Sequence, residues 1–574
     1  MNKKLKNFCV IDIETKGLSA RPESFVFGCL FSKDENGQEY KKVFMTRVEM
    51  VNFLLSNKNP YKYIFAHNGE FDFTCLFDNI ILNLDRSALF VGSTFIQAKK
   101  DKKIFCNSLP VLKSSVKELG KNLGLEKMEL DNKFKEGQEN IVVTVEDIKY
   151  CYRDCEIVYH FLDMVFAHTN KIKPTIASCS MEIFRKEFLV RKFTKNPLNE
   201  KFRASYYGGR VECFRFGKIN PCYKYDINSL YPYVCTKMFF PDFNKLKNGK
   251  NLKVDYFEKY ILPNYEGCVN VTVEHKNNFV GVLPFRKKTE IIFPYGLYTA
   301  WYNFNELRVA IKTGLVKIKR IKEYVYAPRI QFTELREYML KFYKLKNETT
   351  GAEKLINKFF LNALTGKFAQ KEYGSKTYFS NSKDAFEFIN SLYSGEKIEL
   401  HHFSEERDDM FVEVFDERRS KKITWNIPTI SSYITSEARI VMLPFFLKYK
   451  KNLLYTDTDS LVLDIPLDKK FISDNILGMF KKENDTSIDI KGNKHYSSKV
   501  DGKNVYHIKG VSKNFTRKKK DFTFTKMIKT KESINRQIHA GAFVEVVKHL
   551  SGDYSKRKVN KNNKTQILKL TTNE

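Results

Sequence analysis

No stretch of this chain is long and apolar enough to cross a bilayer, which takes roughly 20 predominantly apolar residues. The first residues are basic, but the apolar run behind them is broken at Asp12, so a secretory signal is not expected. Cysteine is confined to the first half. Eleven occur between Cys9 and Cys268, none of them in a Cys-x-x-Cys pair, and Cys151 and Cys155 have no matching second pair. That pattern argues against a disulfide scaffold, no zinc site is expected from it, and it reads as reduced thiols in a cytoplasmic-type compartment. Repeats and long low-complexity segments are missing as well. Acidic side chains are outnumbered, 67 against 99 basic ones, for a formal net charge of +32. Such a surplus calls for a polyanionic partner, most simply nucleic acid, with an anionic membrane surface as the bland alternative.

What is present is acidic and ordered. Tyr455-Thr456-Asp457-Thr458-Asp459-Ser460 lies between Leu453-Leu454 and Leu461-Val462-Leu463 and reads as strand, tight turn, strand. Residues i and i+2 of an extended segment face one side, so Asp457 and Asp459 can address one point. Carboxylates held that close repel unless a hard cation lies between them, which suggests a magnesium site for phosphoryl chemistry. Asp-x-Asp alone is common in surface turns. Its meaning depends on the other acidic motifs.

Near the N-terminus, Val10-Ile11-Asp12-Ile13-Glu14 is an alternating strand with a second i, i+2 acidic pair. His67-Asn68-Gly69-Glu70-Phe71-Asp72 follows. A helical pattern over 145–168 then sets Tyr150 and Asp154 at i, i+4 on one face. Singly, each piece is more often a solvated edge, a turn or a coincidence. Together, four carboxylates and a phenol can hold two divalent ions.

Further on come Tyr206-Tyr207-Gly208-Gly209, Tyr225-Asp226-Ile227-Asn228-Ser229-Leu230-Tyr231-Pro232, and a helix-prone stretch over 331–368. In that stretch Lys358 and Asn362 share a face, with Lys346 about three turns away if Thr349-Thr350-Gly351 leaves the helix unbroken. Thr435-Ser436-Glu437-Ala438-Arg439 offers a hydroxyl and a guanidinium to a nucleic-acid backbone, or a helix N-cap. The basic runs Arg517-Lys518-Lys519-Lys520 and Lys556-Arg557-Lys558 read as solvated surface, or as a groove following phosphates.

The first set resembles the proofreading 3′–5′ exonuclease domain of family B DNA polymerases. The resemblance implies Asp12, Glu14, Asp72 and Asp154 as metal ligands and Tyr150 as the residue orienting water. It also implies that Thr15, Asn68, Phe71, Ser108 and Leu109 touch a single-stranded 3′ end, with Lys127 a nearby lysine. The second set resembles the protein-primed subgroup, which replicates small linear phage genomes and linear plasmids. By that resemblance Asp226 and Asp459 hold metal with Asp457 in support. Ser229, Leu230, Tyr231, Lys346, Lys358 and Asn362 meet the incoming nucleotide, with Tyr231 as a sugar gate. Tyr206, Gly208, Gly209, Thr435, Arg439, Lys503 and Tyr506 contact DNA. Two motifs depart from the family pattern. Asn362-Ala363-Leu364-Thr365-Gly366 lacks the ring expected where Thr365 stands. The late Lys-x-Tyr motif, placed at Tyr506, has Asn504 where lysine is expected, and Lys503 substitutes only through a register shift.

The expected fold is an α/β and α+β multidomain chain, with a ribonuclease-H-like exonuclease domain followed by a right-hand polymerase of palm, fingers and thumb with two insertions. The expected boundaries are 1–180 for the exonuclease, 190–236 for the first part of the palm, and 237–331 for an insertion contacting a terminal protein. Next come fingers over 332–369, a processivity and strand-displacement insertion over 370–426, the second part of the palm over 427–502, and a thumb and tail over 503–574. The implied activity is DNA-directed DNA polymerisation with 3′–5′ excision, using two Mg2+ per site, for which Mn2+ can substitute. The implied partners are primer-template DNA, a single-stranded 3′ end, deoxynucleoside triphosphates and a terminal protein, on a monomer in the host cytoplasm, away from membranes. Alternatives are a polymerase primed only by nucleic acid, an exonuclease whose C-terminal half merely grips DNA, and a basic packaging protein. The last explains the charge but none of the carboxylates.

Overall fold

The structure is a computed structural model. It describes residues 7–571 except 79, 81–87, 130, 137–139, 195, 371–374, 380–381, 392–396, 405–408, 416–424, 512–514, 519–520, 537–539 and 550–553. The expectations on Lys519, Lys520 and part of the 370–426 insertion therefore fall outside the described residues.

The N-terminal body is built on a seven-stranded sheet. Its inner strand Phe8–Thr15 pairs in parallel with the central strand Tyr63–Ala66 and antiparallel with Phe25–Lys33. The alternation of Phe8–Thr15 divides two cores, as a strand covered on both faces requires. Cys9, Ile11 and Ile13 pack on one side with Met50, Leu54, Phe73 and Phe105. Phe8 and Val10 face the other side, where the Phe8 ring stacks on Tyr159 at 4.8 Å. Tyr159 belongs to the helix Val145–Thr169, which begins at a Thr144–Asp147 capping box. The helix thus lies on the face toward which Asp12 and Glu14 point.

The second body centres on a five-stranded antiparallel sheet in the order Phe480–Lys482, Tyr223–Ile227, Ser460–Leu463, Leu453–Asp457, Val211–Cys213. Asp226 pairs with Ser460, so the strand ending near Asp226 meets the hairpin turn carrying Asp459. The helices Leu230–Lys237 and Pro428–Lys448 pack beside it. The helix expected over 331–368 is two helices, Thr333–Glu348 and Gly351–Lys367, packed together. The break falls at Thr349-Thr350, where Gly351 takes a left-handed φ of 53°.

Residues 237–331 contribute four strands to another five-stranded sheet, whose fifth strand, Lys569–Leu570, comes from the far end of the chain and pairs in parallel with Tyr295–Asn303. The hairpin Arg557–Val559 and Thr565–Ile567 also returns to the central body. The Arg557 side chain is fully buried against Glu212 and donates to the Phe279 carbonyl, so the expectation of a solvated or phosphate-following Lys556-Arg557-Lys558 run is corrected at Arg557. The expected boundary between 502 and 503 falls in the turn of a hairpin whose strands pair from Val500–Lys503 to His495–Ile508. One sheet therefore runs across it. Among the described residues no helix is long and apolar enough to cross a membrane.

Candidate active sites

The first acidic site lies between the strand Phe8–Thr15 and the helix Val145–Thr169, with Asp72 supplied by the helix Glu70–Phe77. Burial pushes the Asp12 carboxyl well above its usual range, and the neighbouring Glu14, Asp154 and Asp72 push it further. Glu14 is raised by burial and then by Asp154. Asp72 is raised by burial, against opposing hydrogen bonds from backbone N–H groups. Lys127 donates to Asp154 Oδ2 and lies 4.9 Å from the Tyr150 ring centre. Asp154 Oδ1 is buried with no hydrogen-bond partner. An all-oxygen donor set, mutual repulsion and an orphaned carboxylate oxygen fit a hard divalent cation.

Around this site, Asn107 Oδ1 accepts from the Gly69 and Leu109 N–H groups at 3.2 and 3.0 Å, so Asn107, which sequence reasoning passed over, ties the Asn68 loop to Ser108-Leu109. Ser108 is fully buried and shares a 2.9 Å hydrogen bond with His67 Nδ1. Asn68 is exposed in a left-handed conformation, φ 59°. Phe71 is half-buried and meets the Phe543 ring edge-on at 6.2 Å. Thr15 donates to the Gly17 carbonyl at 3.0 Å.

The second site joins Asp226, Asp457 and Asp459, all half-buried. Asp226 is raised to about 7 by burial and then by Asp459. Asp459 is raised by burial, with Asp457 adding to it. Asp459 is not on a strand, as the i, i+2 argument assumed. Leu453–Asp457 ends first, Thr458 turns with φ 62°, and Ser460–Leu463 begins after Asp459. The Asp459 carbonyl accepts from the Ile227 N–H at 3.0 Å, which locks the turn beside Asp226. Ser229 is left-handed as well, φ 53°, so Tyr231 sits on the first turn of Leu230–Lys237 rather than in a simple turn. Lys346 donates to Ser229 Oγ at 3.4 Å, and its ammonium is disfavoured by burial and then by Lys358. Lys358 and Asn362 are both exposed, while Leu230 is buried.

Two expectations are corrected. Arg439 is inside the molecule, in mid-helix with Thr435, so neither is an N-cap residue. Its guanidinium pairs with Glu306 at 2.6 and 2.8 Å and donates to the carbonyls of Tyr207 and Gly208 at 2.7 and 2.9 Å. It shapes the Tyr206–Gly209 loop and has no reach to a DNA backbone. The late Lys-x-Tyr motif moves to Lys494-His495-Tyr496. Lys494 Nζ is 3.0 Å from Asp457 Oδ2, its N–H donates to Tyr455 Oη at 3.1 Å, and the Tyr496 ring lies 5.2 Å from that of Tyr455. Lys503 and Tyr506 are exposed on an outer strand, three residues apart and hence on opposite faces, and no bulge interrupts the pairing to supply the register shift. The literal spacing at Lys494 and Tyr496 was the signal that could have found them.

A cavity of about 740 Å3 connects the two halves, lined by Leu109 from the first body and by Tyr206, Tyr231, Asn362, Thr365 and Thr435 from the second. The sequence profile described as "DNA polymerase type B, organellar and viral" matches residues 38–451. The chain belongs to the organellar and viral type B DNA polymerases. It is 32% identical over 343 residues to a Podospora anserina protein named "Probable DNA polymerase", covering 54% of this chain and 27% of that one. It is 24% identical over 289 residues to the DNA polymerase of Bacillus phage Nf, covering 46% and 48%. The chain thus spans less than half the length of these relatives. Among solved structures, phi29 DNA polymerase complexed with primer-template DNA and incoming nucleotide is similar at a TM-score of 0.70 and 17% identity, over 95% of this chain and 100% of that one. Its binary complex with primer-template DNA gives 0.72 at 16%. This likeness carries the fold, a ribonuclease-H-like body followed by a right-hand polymerase, in a family B chain.

Proposed function

We propose that this type B chain is a DNA-directed DNA polymerase with a separate 3′–5′ exonuclease, acting on primer-template DNA and deoxynucleoside triphosphates. The observation that carries the reading is the proximity of Asp226, Asp457 and Asp459 at the ends of the middle strands of one sheet, while Asp12, Glu14, Asp72 and Asp154 converge on a different sheet. A module that only gripped DNA has no use for the first group, since mutually repelling carboxylates are costly. Divalent cations held by these carboxylates, Mg2+ by expectation, would supply Lewis acidity and charge neutralisation for phosphoryl transfer.

The protein groups do the rest. Lys346, beside Ser229, and the exposed Lys358 meet the charge of a triphosphate. Tyr231, close enough to feel Asp459 and Asp457, forms the wall against the sugar. Lys494 offsets the charge of Asp457. In the first site Lys127 and Tyr150 frame Asp154, and Phe71 and Leu109 stand where a frayed 3′ end would enter. The reading keeps the domain boundaries given above except at 502/503, which one sheet crosses, and at 557–570, which packs with the central body and the 237–331 sheet. It includes initiation from a terminal-protein hydroxyl and strand displacement through 370–426. The 237–331 region shares its core with the central body but leaves Tyr256 and Tyr260 exposed, which supports a protein contact there.

The test is extension of one primer on a singly primed circle, with Mg2+ and four deoxynucleotides but no helicase. Products longer than the circle are expected. Asp459→Ala should stop extension and leave 3′ shortening, and Asp12→Ala with Glu14→Ala should do the reverse. Loss of both activities in either variant would refute two separate sites.

A further inference from the structure

The first acidic site has a neighbour that its hard-cation chemistry does not use. Cys151 follows Tyr150 on the helix Val145–Thr169 and is fully buried. Its Sγ is 3.5 Å from the Asp12 carbonyl oxygen, to which it donates. One carboxylate oxygen each from Asp12 and Glu14 and the Cys151 Sγ lie within 4.8 Å of one another. Three residues on, at the i, i+3 spacing that puts side chains on one face, Asp154 is 7% exposed and keeps its Oδ1 without a partner. That oxygen belongs to a carboxylate close enough to act on both Asp12 and Glu14. Behind Cys151, the thiols of Cys155 and Cys29 are within hydrogen-bonding reach of it. Two oxygens and a sulfur thus converge, with a third carboxylate at hand.

Hard cations such as Mg2+ ignore a thiol, whereas softer divalent ions prefer it. Zinc binds sulfur at about 2.3 Å and carboxylate oxygen at about 2.0–2.2 Å, which puts such donors roughly 3.5 Å apart around a tetrahedral ion. The three donor atoms, which lie no more than 4.8 Å apart, would need to close by about 1 Å at the widest pair. We propose that Cys151 makes this site thiophilic: together with Asp12 and Glu14 it takes one soft divalent cation of the Zn2+ or Cd2+ class. Binding breaks the S–H bond, the proton leaves to solvent, and the sulfur lone pair goes to the ion. An ion held this way occupies the two carboxylates needed for excision and leaves the Asp226 site free. This last consequence rests on the exonuclease reading, whereas the binding itself does not.

The test is titration of the metal-free full chain with Cd2+, read by the ultraviolet Cd–thiolate charge-transfer absorbance. The wild type should show a band that saturates at one equivalent. Cys151→Ser should lose it, while Cys235→Ser, at a buried cysteine in the helix Leu230–Lys237, should keep it. No band in the wild type, or an unchanged band in Cys151→Ser, would overturn the proposal. If Cys151→Ser does not fold, Asp12→Asn with Glu14→Gln keeps the thiol and removes the charged oxygens. Its Cd2+ affinity should fall by about tenfold or more, as loss of metal-site groups does, and unchanged affinity would also overturn the proposal. In the activity arm, Cd2+ should suppress 3′ shortening by the wild type at concentrations that leave extension intact. A wild-type band lost in Cys151→Ser, with no 3′ shortening under any ion, would sustain the site and refute the nuclease reading instead.

Discussion

Gly209 is the residue through which the Tyr206–Gly209 loop touches the acidic turn. A Cβ built there would lie 2.5, 2.6 and 2.8 Å from Thr458 Oγ1, Cγ2 and Cβ. Thr458 stands between Asp457 and Asp459, its N–H donates to the Arg210 carbonyl at 2.7 Å, and its Oγ1 donates to Asp457 Oδ1 at 3.2 Å. Gly209→Ala therefore cannot be relieved by a free side-chain swing. Either the loop or the turn must move by about 1 Å to restore ordinary contact. Overpacking of this kind costs about 1–3 kcal/mol, and a misplacement of about 1 Å at reacting groups can cost about a hundredfold in rate. Gly209→Ala is expected to slow primer extension by about that factor while 3′ shortening of a single strand, which uses the other sheet, stays near wild type. Thr458→Gly on the Gly209→Ala background deletes the three colliding atoms, and glycine suits a φ of 62° at that position. Extension should then recover. Wild-type extension by Gly209→Ala, or no recovery in the double variant, would refute the coupling.

Lys494→Ala should slow extension by at least about tenfold, as removal of a positioned charge does, and Lys503→Ala should not; equal effects in the same primer assay would undo the motif assignment. Arg439→Met strands Glu306 in the interior and should cost on the order of 3–5 kcal/mol in urea unfolding, with Glu306→Leu on the same background recovering part of it; no recovery would mean that the unpaired charge is not the cause. The metal-free protein should lose stability as pH rises. Glu14 is raised to about 8 and Asp226 to about 7, both from near 4 in the unfolded chain, so their contribution is complete at low pH and lost through that window. In EDTA the wild-type Tm should fall between pH 5 and 8 relative to that of Asp12→Asn with Glu14→Gln, and Mg2+ should restore more at pH 8 than at pH 5; parallel curves would refute it.

Local patterns revealed what local geometry determines. The strand alternation around Asp12, the capped helix carrying Tyr150 and Asp154, and the strand before Asp226 depend on neighbours within a few residues, so spacing was enough to find them. The burial of Arg439 depends on Glu306, 133 residues away, and no local pattern reports that a basic side chain will meet an acid from another element. The same holds for Arg557 against Glu212. The Lys-x-Tyr motif failed differently. Its literal spacing stands at Lys494 and Tyr496 and was passed over for Tyr506; the structure sets Lys494 against Asp457 and Tyr506 on an outer strand.

The strand Lys569–Leu570 and the hairpin before it have a consequence for how the molecule is made. Strands from 237–331 leave the ribosome long before the segment that borders them, so the edge at Tyr295–Asn303 stays open through the synthesis of everything in between. A nascent chain stopped near residue 550 would carry all the carboxylates of the two acidic sites yet lack Arg557, leaving the buried Glu212 without that partner beneath the hairpin that holds Asp459. The order of translation therefore sets the order of closure, because a message cut short yields a product that cannot complete this sheet.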